Sequence, residues 1–259
     1  MHGLCYSLRV PAPTLAPVEV AQRHTALVRV THWIMVIAFV ALLVTGGEIL
    51  ISHPRFYWGE TGNSGTDVLF KIPIPASRGT VPTGYSYGLP DENGWSRYLH
   101  FEAAWVLVIT GLIYVAAGLL NAHFRKNLLP AKGDRNWAAV RDVLRRYRRR
   151  APQDKNDERS YNVVQRISYL VVIFGLFPLV IWTGLALSPA FDSVVPAAVN
   201  LLGGRQSART LHFFVSDLLV VFLVVHVTMI ALAGFWKRTA AMFTGRAASS
   251  PQAIETERR

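Results

Sequence analysis

Four long apolar runs constrain this chain more than any other feature. They fall at about 27–51, 99–121, 166–188 and 211–236. Each is long enough to cross a bilayer, which takes roughly 20 residues at about 1.5 Å rise per residue. Backbone polar groups in hydrocarbon must be satisfied within their own segment, so each run is predicted to be a helix. The expected fold class is all-α and integral to a membrane, a four-transmembrane-helix bundle. This accounts for a composition that is 51% hydrophobic yet carries a net charge of +11. The apolar and the basic residues occupy different segments.

Lys and Arg in the loops set the orientation. The stretch 125–159 holds twelve of them, the longer loop 52–98 four, the loop 189–210 two and the tail after Trp236 five. With an even number of spans both termini share a side, and the basic side is cytoplasmic. The expected organisation is a cytoplasmic N-terminal segment 1–26, a membrane domain 27–240 and a cytoplasmic tail 241–259. The loop 52–98 faces out and the basic loop 122–165 faces in. "MHGLCYSLRVPAPTLAPVEVAQRH" has prolines and charges where a cleavable signal needs an apolar core, so the first span is expected to be an uncleaved anchor. The single cysteine, Cys5, excludes an internal disulfide and a Cys-ligated iron–sulfur cluster. "RNWAAVRDVLRRYRRR" is either a helix lying on anionic lipid or simply the positive-inside signal. A charge cluster beside membrane spans does not point to nucleic acid.

Histidines inside the spans carry the chemistry. His212 and His226 are fourteen residues apart in the fourth run, close to four helical turns. Their side chains therefore share a face and lie about 21 Å apart along the axis. Polar groups in a membrane are costly and commonly functional. Each of these histidines has a counterpart at similar depth on another span. His100 lies near the outer start of the second run, level with His212. His32 lies near the inner start of the first, about five residues in, and meets His226 only approximately, about ten residues from the inner end. Zinc would want four ligands including Cys or carboxylate, and none is near. Haem iron takes two axial ligands, and its porphyrin fills apolar space between helices. The expectation is two haem b groups on the pairs His32–His226 and His100–His212. With both axial positions filled, electron transfer is favoured over oxygen chemistry.

Three of these histidines follow an arginine by three positions: Arg29, Arg97 and Arg209. Residues at i and i+3 share a face. The arginines either pair with haem propionates or snorkel to the headgroups, and the two roles are compatible. Thr-Gly steps at Thr45–Gly47, Thr110–Gly111 and Thr183–Gly184 permit close approach of a helix or a flat ring. Pro178 is predicted to kink the third span. His24, His53 and His123 sit at span edges or in loops and are expected to be solvated. Asp217, in the fourth span, either bonds a partner helix or belongs to a proton path. The outer loop 52–98, rich in Gly, Pro and aromatics, either docks a partner or lids the outer site.

Histidines at one position in each of the first two spans and His-x13-His in the fourth resemble the bacterial four-helix dihaem b-type cytochromes. That group includes the cytochrome subunits of nickel–iron hydrogenases, the gamma subunit of formate dehydrogenase and cytochromes of the b561 type. The resemblance implies a multi-pass protein of the bacterial inner membrane and the same histidine pairing. "YNVVQR" resembles the family's Tyr-Asn-x-x-Gln motif beside the inner haem, which implies a quinone site at Tyr161, Asn162 and Gln165. The same residues also suit a polar helix start with Asn162 as its cap. "SHPRFYWG", "HFRKNLLP" and "GGRQSARTLHF" resemble thiosulfate reductase cytochrome b subunits. That branch implies electron exchange between the quinone pool and a periplasmic molybdenum enzyme of the sulfite-oxidase type. Two other functions remain open: a stand-alone b561-type quinone oxidoreductase acting on a small oxidant such as superoxide, and a haem-free membrane anchor.

Overall fold

The computed structural model describes residues 25–63, 65–73, 93–130, 133, 136–149, 162–232 and 234–245. The signal and anchor expectations for the N-terminal segment, with Cys5 and His24, lie outside these residues, as does Tyr161. Four helices are long and apolar enough to cross a membrane. They are α1 (Ala26–Ser52), α2 (Asn93–Leu120), the third span Val163–Leu185, and α8 (Arg205–Leu232). Their flanks carry many exposed large aliphatic side chains, among them Ile37, Val44, Leu112 and Val221. Lipid solvates such surfaces, so their exposure carries no hydrophobic penalty.

The bundle is two antiparallel hairpins. Helix α1 packs along α2, and the third span packs along α8. Among the described residues the two hairpins approach each other far less closely than their own helices do. The space between them is where the span histidines face.

The third span is not one regular helix. It runs as α4 (Val163–Val171), a π-helical turn (Val172–Leu176) and α5 (Phe177–Leu185). Pro178 lacks an N–H and its ring crowds the preceding turn, so the ladder widens just before it. The kink expected at Pro178 is thus absorbed as a π turn.

The fourth run differs from its expected bounds. Helix α8 starts six residues earlier than expected, at Arg205, and ends at Leu232. Gly234 then adopts φ +98°, a left-handed conformation natural to glycine, and opens α9 (Phe235–Thr244). Residues read as the end of the span and the start of the tail therefore form a separate helix. It folds back onto the inner end of α1. Trp33 stacks on Phe243 at 4.3 Å and donates to the Met242 carbonyl at 3.4 Å, while Arg29 donates to the Phe243 carbonyl at 2.6 Å.

The basic stretch forms α3 (Trp137–Arg148), with Trp137 and Leu144 exposed and arginines at 141, 145, 146 and 148. On the outer side, α6 (Pro189–Val194) and α7 (Pro196–Leu201) join the third span to α8. They close a small core of Ala186, Val199, Leu202 and Ala208.

Candidate functional site between the two hairpins

The revised helix ends sharpen the depth match. His100 lies seven positions from the start of α2 (100 − 93) and His212 seven from the start of α8 (212 − 205). His32 lies six positions from the start of α1 (32 − 26), and His226 six from the end of α8 (232 − 226). The inner depths agree because α8 ends four residues earlier, and α1 starts one residue earlier, than the apolar runs suggest.

At the outer end, the rings of His100 and His212 meet edge-on across the gap, with centroids 6.4 Å apart and planes at 67°. Each ring is fixed by a threonine on the partner helix of its own hairpin. Thr45 on α1 lies 2.9 Å from His100 Nδ1, and Thr183 on α5 lies 3.1 Å from His212 Nδ1. The Thr45 hydroxyl already donates to the Ala41 carbonyl at 2.7 Å, and that of Thr183 to the Leu179 carbonyl at 2.8 Å. Each hydroxyl is therefore left to accept, and the proton of the bond sits on Nδ1. For His212 a second contact agrees: its Nδ1 is 3.1 Å from the Val180 carbonyl, which can only accept. Both Nε2 lone pairs are then free for a metal.

The glycine after each threonine makes room for the ring it orients. A Cβ at Gly46 would lie 3.6 Å from His100 Cε1, and one at Gly184 only 3.2 Å from His212 Cε1. Thr110–Gly111 does not share this role, since a Cβ at Gly111 would meet nothing within 4 Å.

The arrangement fits an iron held on two axial imidazoles. Metal–imidazole bonds of about 2 Å, with roughly 1.1 Å from nitrogen to ring centre, place two centroids about 6 Å apart. Among the described residues no group of three or more His, Cys, Asp or Glu is placed to hold a metal ion. Two imidazoles brought together from opposite hairpins are a donor set that fits haem iron.

At the inner end, His32 on α1 and His226 on α8 stand at matching depth. The His226 ring stacks on Phe222 with centroids 5.7 Å apart and meets the edge of Tyr169 at 6.2 Å. His32 packs edge-on against Trp33 at 5.4 Å, and its Nδ1 is buried with no hydrogen-bond partner.

The arginines are placed at the bundle edges but differ in their engagements. Arg29 spends one nitrogen on Phe243, while its Nε is buried and without a partner. Arg97 is exposed on the first outer turns of α2. Arg209 donates to the carbonyls of His53 and Arg55 and lies 5.1 Å over the Phe56 ring. Its guanidinium clasps the outer loop to α8.

That loop covers the outer end of α8. Strands β1 (Arg55–Phe56) and β2 (Phe70–Lys71) pair antiparallel, Arg55 opposite Lys71 and Phe56 opposite Phe70. Phe56 packs on Phe70 and on Phe213, the neighbour of His212, each at 4.6 Å. Thr210 donates to the Tyr57 carbonyl at 2.8 Å, and Gly59 donates to Ser207 at 2.7 Å. Gly204, at φ +99°, brings its backbone against Gly59 so closely that a Cβ would lie 2.7 Å from the Gly59 oxygen. The loop's first half is a lid; residues 74–92 lie outside the described set.

The solvation expected for two histidines needs correction. His53 and His123 are partly buried, not solvated, and in both burial pushes the imidazole below its ordinary range. For His53 the positive charge of Arg209 adds to this. Asn162 and Gln165 form a capping box: the Asn162 side chain accepts from the Gln165 N–H at 3.0 Å, and the Gln165 side chain accepts from the Asn162 N–H at 3.3 Å. The helix-start role weighed for these residues is therefore present. Asp217 is exposed on α8, five residues and so roughly 140° around from His212, away from the gap.

Comparison with known proteins identifies the family. The family described as prokaryotic cytochrome b561 matches residues 23–245. A protein of Azospira oryzae, assigned by its name to a protein-methionine-sulfoxide reductase as the subunit YedZ1, is 30% identical over 217 residues, covering 83% of this chain and 92% of that protein. No solved structure matches. The chain belongs to the prokaryotic cytochrome b561 family, as a multi-pass haem protein of the bacterial inner membrane.

Proposed function

We propose that this chain is a dihaem electron-transfer subunit linking the quinone pool to a periplasmic oxidoreductase. The observation that carries this is the close pair His100–His212, each ring held at Nδ1 by a threonine of its own hairpin. The depth-matched pair His32–His226 supplies the ligands of a second site. Haem held by these histidines would supply one-electron transfer at each level. The protein residues hold the ligand tautomers, exclude water and keep the two levels apart.

Arg29, with a buried unpartnered Nε one turn before His32, suits an inner propionate. Arg97 and Arg209 would serve the outer one. At the inner end, Asn162 and Gln165 use their side-chain oxygens in the capping box. A side-chain amide also carries NH2 donors of the kind a quinone carbonyl needs.

The outer partner is a periplasmic reductase. The name of the Azospira relative makes a methionine-sulfoxide reductase the first candidate. The resemblance to thiosulfate reductase cytochromes makes it a molybdenum enzyme of the sulfite-oxidase type. The lid over His212 is the surface it would meet.

The test is purification of the tagged chain from its native membranes in mild detergent. A haem b spectrum reduced by a quinol analogue, and reoxidised by the co-purified enzyme with its sulfoxide substrate, is expected. Quinol reduction with no associated reductase would favour the stand-alone oxidoreductase. The absence of a haem band would leave only the membrane anchor.

A further inference from the structure

We propose that Thr45 and Thr183 are positioning residues that set the outer haem at a lower potential than the inner one. The inference rests on the haem assignment proposed above. Both threonines are fully buried, and each spends its hydroxyl proton on its own helix, so each must accept from the histidine it faces.

The device occurs once in each hairpin. Thr45–Gly46 near the end of α1 serves His100 near the start of α2. Thr183–Gly184 near the end of α5 serves His212 near the start of α8. One inner ligand differs, because His32 Nδ1 is buried with no acceptor.

An acceptor on Nδ1–H makes an imidazole a stronger donor to its metal. Stronger donation favours the oxidised ion, so the outer iron is the harder of the two to reduce. The two outer ligands are not equal. Among the described residues Thr45 is the one acceptor facing His100 Nδ1, whereas His212 Nδ1 also faces the Val180 carbonyl. Thr45→Val strips His100 of its acceptor. Thr183→Val leaves His212 with one.

The experiment is optical redox titration of the purified full chain and its variants. In the wild type, the lower-potential component is expected to be the one that His212→Ala removes. Thr45→Val should raise the potential of that component, Thr183→Val should raise it less, and neither should move the higher component. Thr45→Ser and Thr183→Ser, which keep the hydroxyl, should titrate like the wild type. If a valine variant sheds the outer haem while its serine counterpart keeps it, the positioning role stands. Unshifted potentials in both valine variants overturn the proposal. So does a serine variant that behaves like valine, or a lower component that survives His212→Ala. A wild-type protein without haem would instead sink the haem assignment beneath it.

Discussion

His100 and His212 sit on opposite hairpins with ring centroids 6.4 Å apart, the separation expected of two imidazoles sharing one metal. His226 lies fourteen residues further along α8, about 21 Å away along the axis, so it must belong to a different site. His212→Ala is therefore expected to remove about half of the bound haem, and His226→Ala the other half. Redox titration of each variant checks this, since each should keep one component and lose the other.

Gly184 tests the fit of the outer ring. An added Cβ would press His212 Cε1 at 3.2 Å, whereas at Gly46 the contact with His100 would be an ordinary 3.6 Å. Alanine is the better helix former by about 0.5–1 kcal/mol, so stability alone favours both substitutions. Gly184→Ala should nonetheless lower outer-haem occupancy several-fold, and Gly46→Ala should leave it near wild type. Haem-to-protein ratios of the two variants decide it.

Gln165→Ala should slow haem reduction by a quinol analogue while leaving the haem spectrum unchanged. Loss of one hydrogen bond to a neutral partner costs about 0.5–1.5 kcal/mol, up to about tenfold in affinity. Asn162→Ala also removes the cap of α4, worth roughly 0.5–2 kcal/mol, so its melting temperature should fall as well. Stopped-flow reduction at sub-saturating quinol separates the two effects. Wild-type rates in both variants would move the quinone site elsewhere.

His53 gives the fold a pH dependence. Burial, and then the charge of Arg209, hold its imidazole below the ordinary value of 6.5. Below about pH 6.5 the unfolded chain takes up a proton that the folded His53 resists, so stability falls on acidification. Melting temperature in detergent should drop between about pH 7.5 and about pH 5.5, and His53→Gln should flatten part of that drop. His123, shifted in the same direction by burial, accounts for another part.

The four spans and the four histidines were legible because hydrocarbon forces a simple pattern: long apolar runs, with each polar exception conspicuous. Helix ends were less legible. Nothing in hydropathy marks the break at Gly234, where apolar α8 passes into the aromatic-rich α9. The π turn at Val172–Leu176 follows from Pro178, yet proline alone does not say whether a helix bends or widens. Thr45 and Thr183 were noticed as small residues beside glycines. Their role as acceptors was hidden, because a threonine in a helix commonly bonds its own i−4 carbonyl whatever else it touches. The hairpin at Arg55–Lys71 has strands of two residues each, too short for any alternation to show.

The central claim is two haem sites per chain, one on His32 and His226 and one on His100 and His212. The most direct measurement is a quantitative pyridine haemochrome assay on purified, fully loaded protein. A ratio of about two haem b per chain is expected. A ratio of about one would contradict the paired-histidine account.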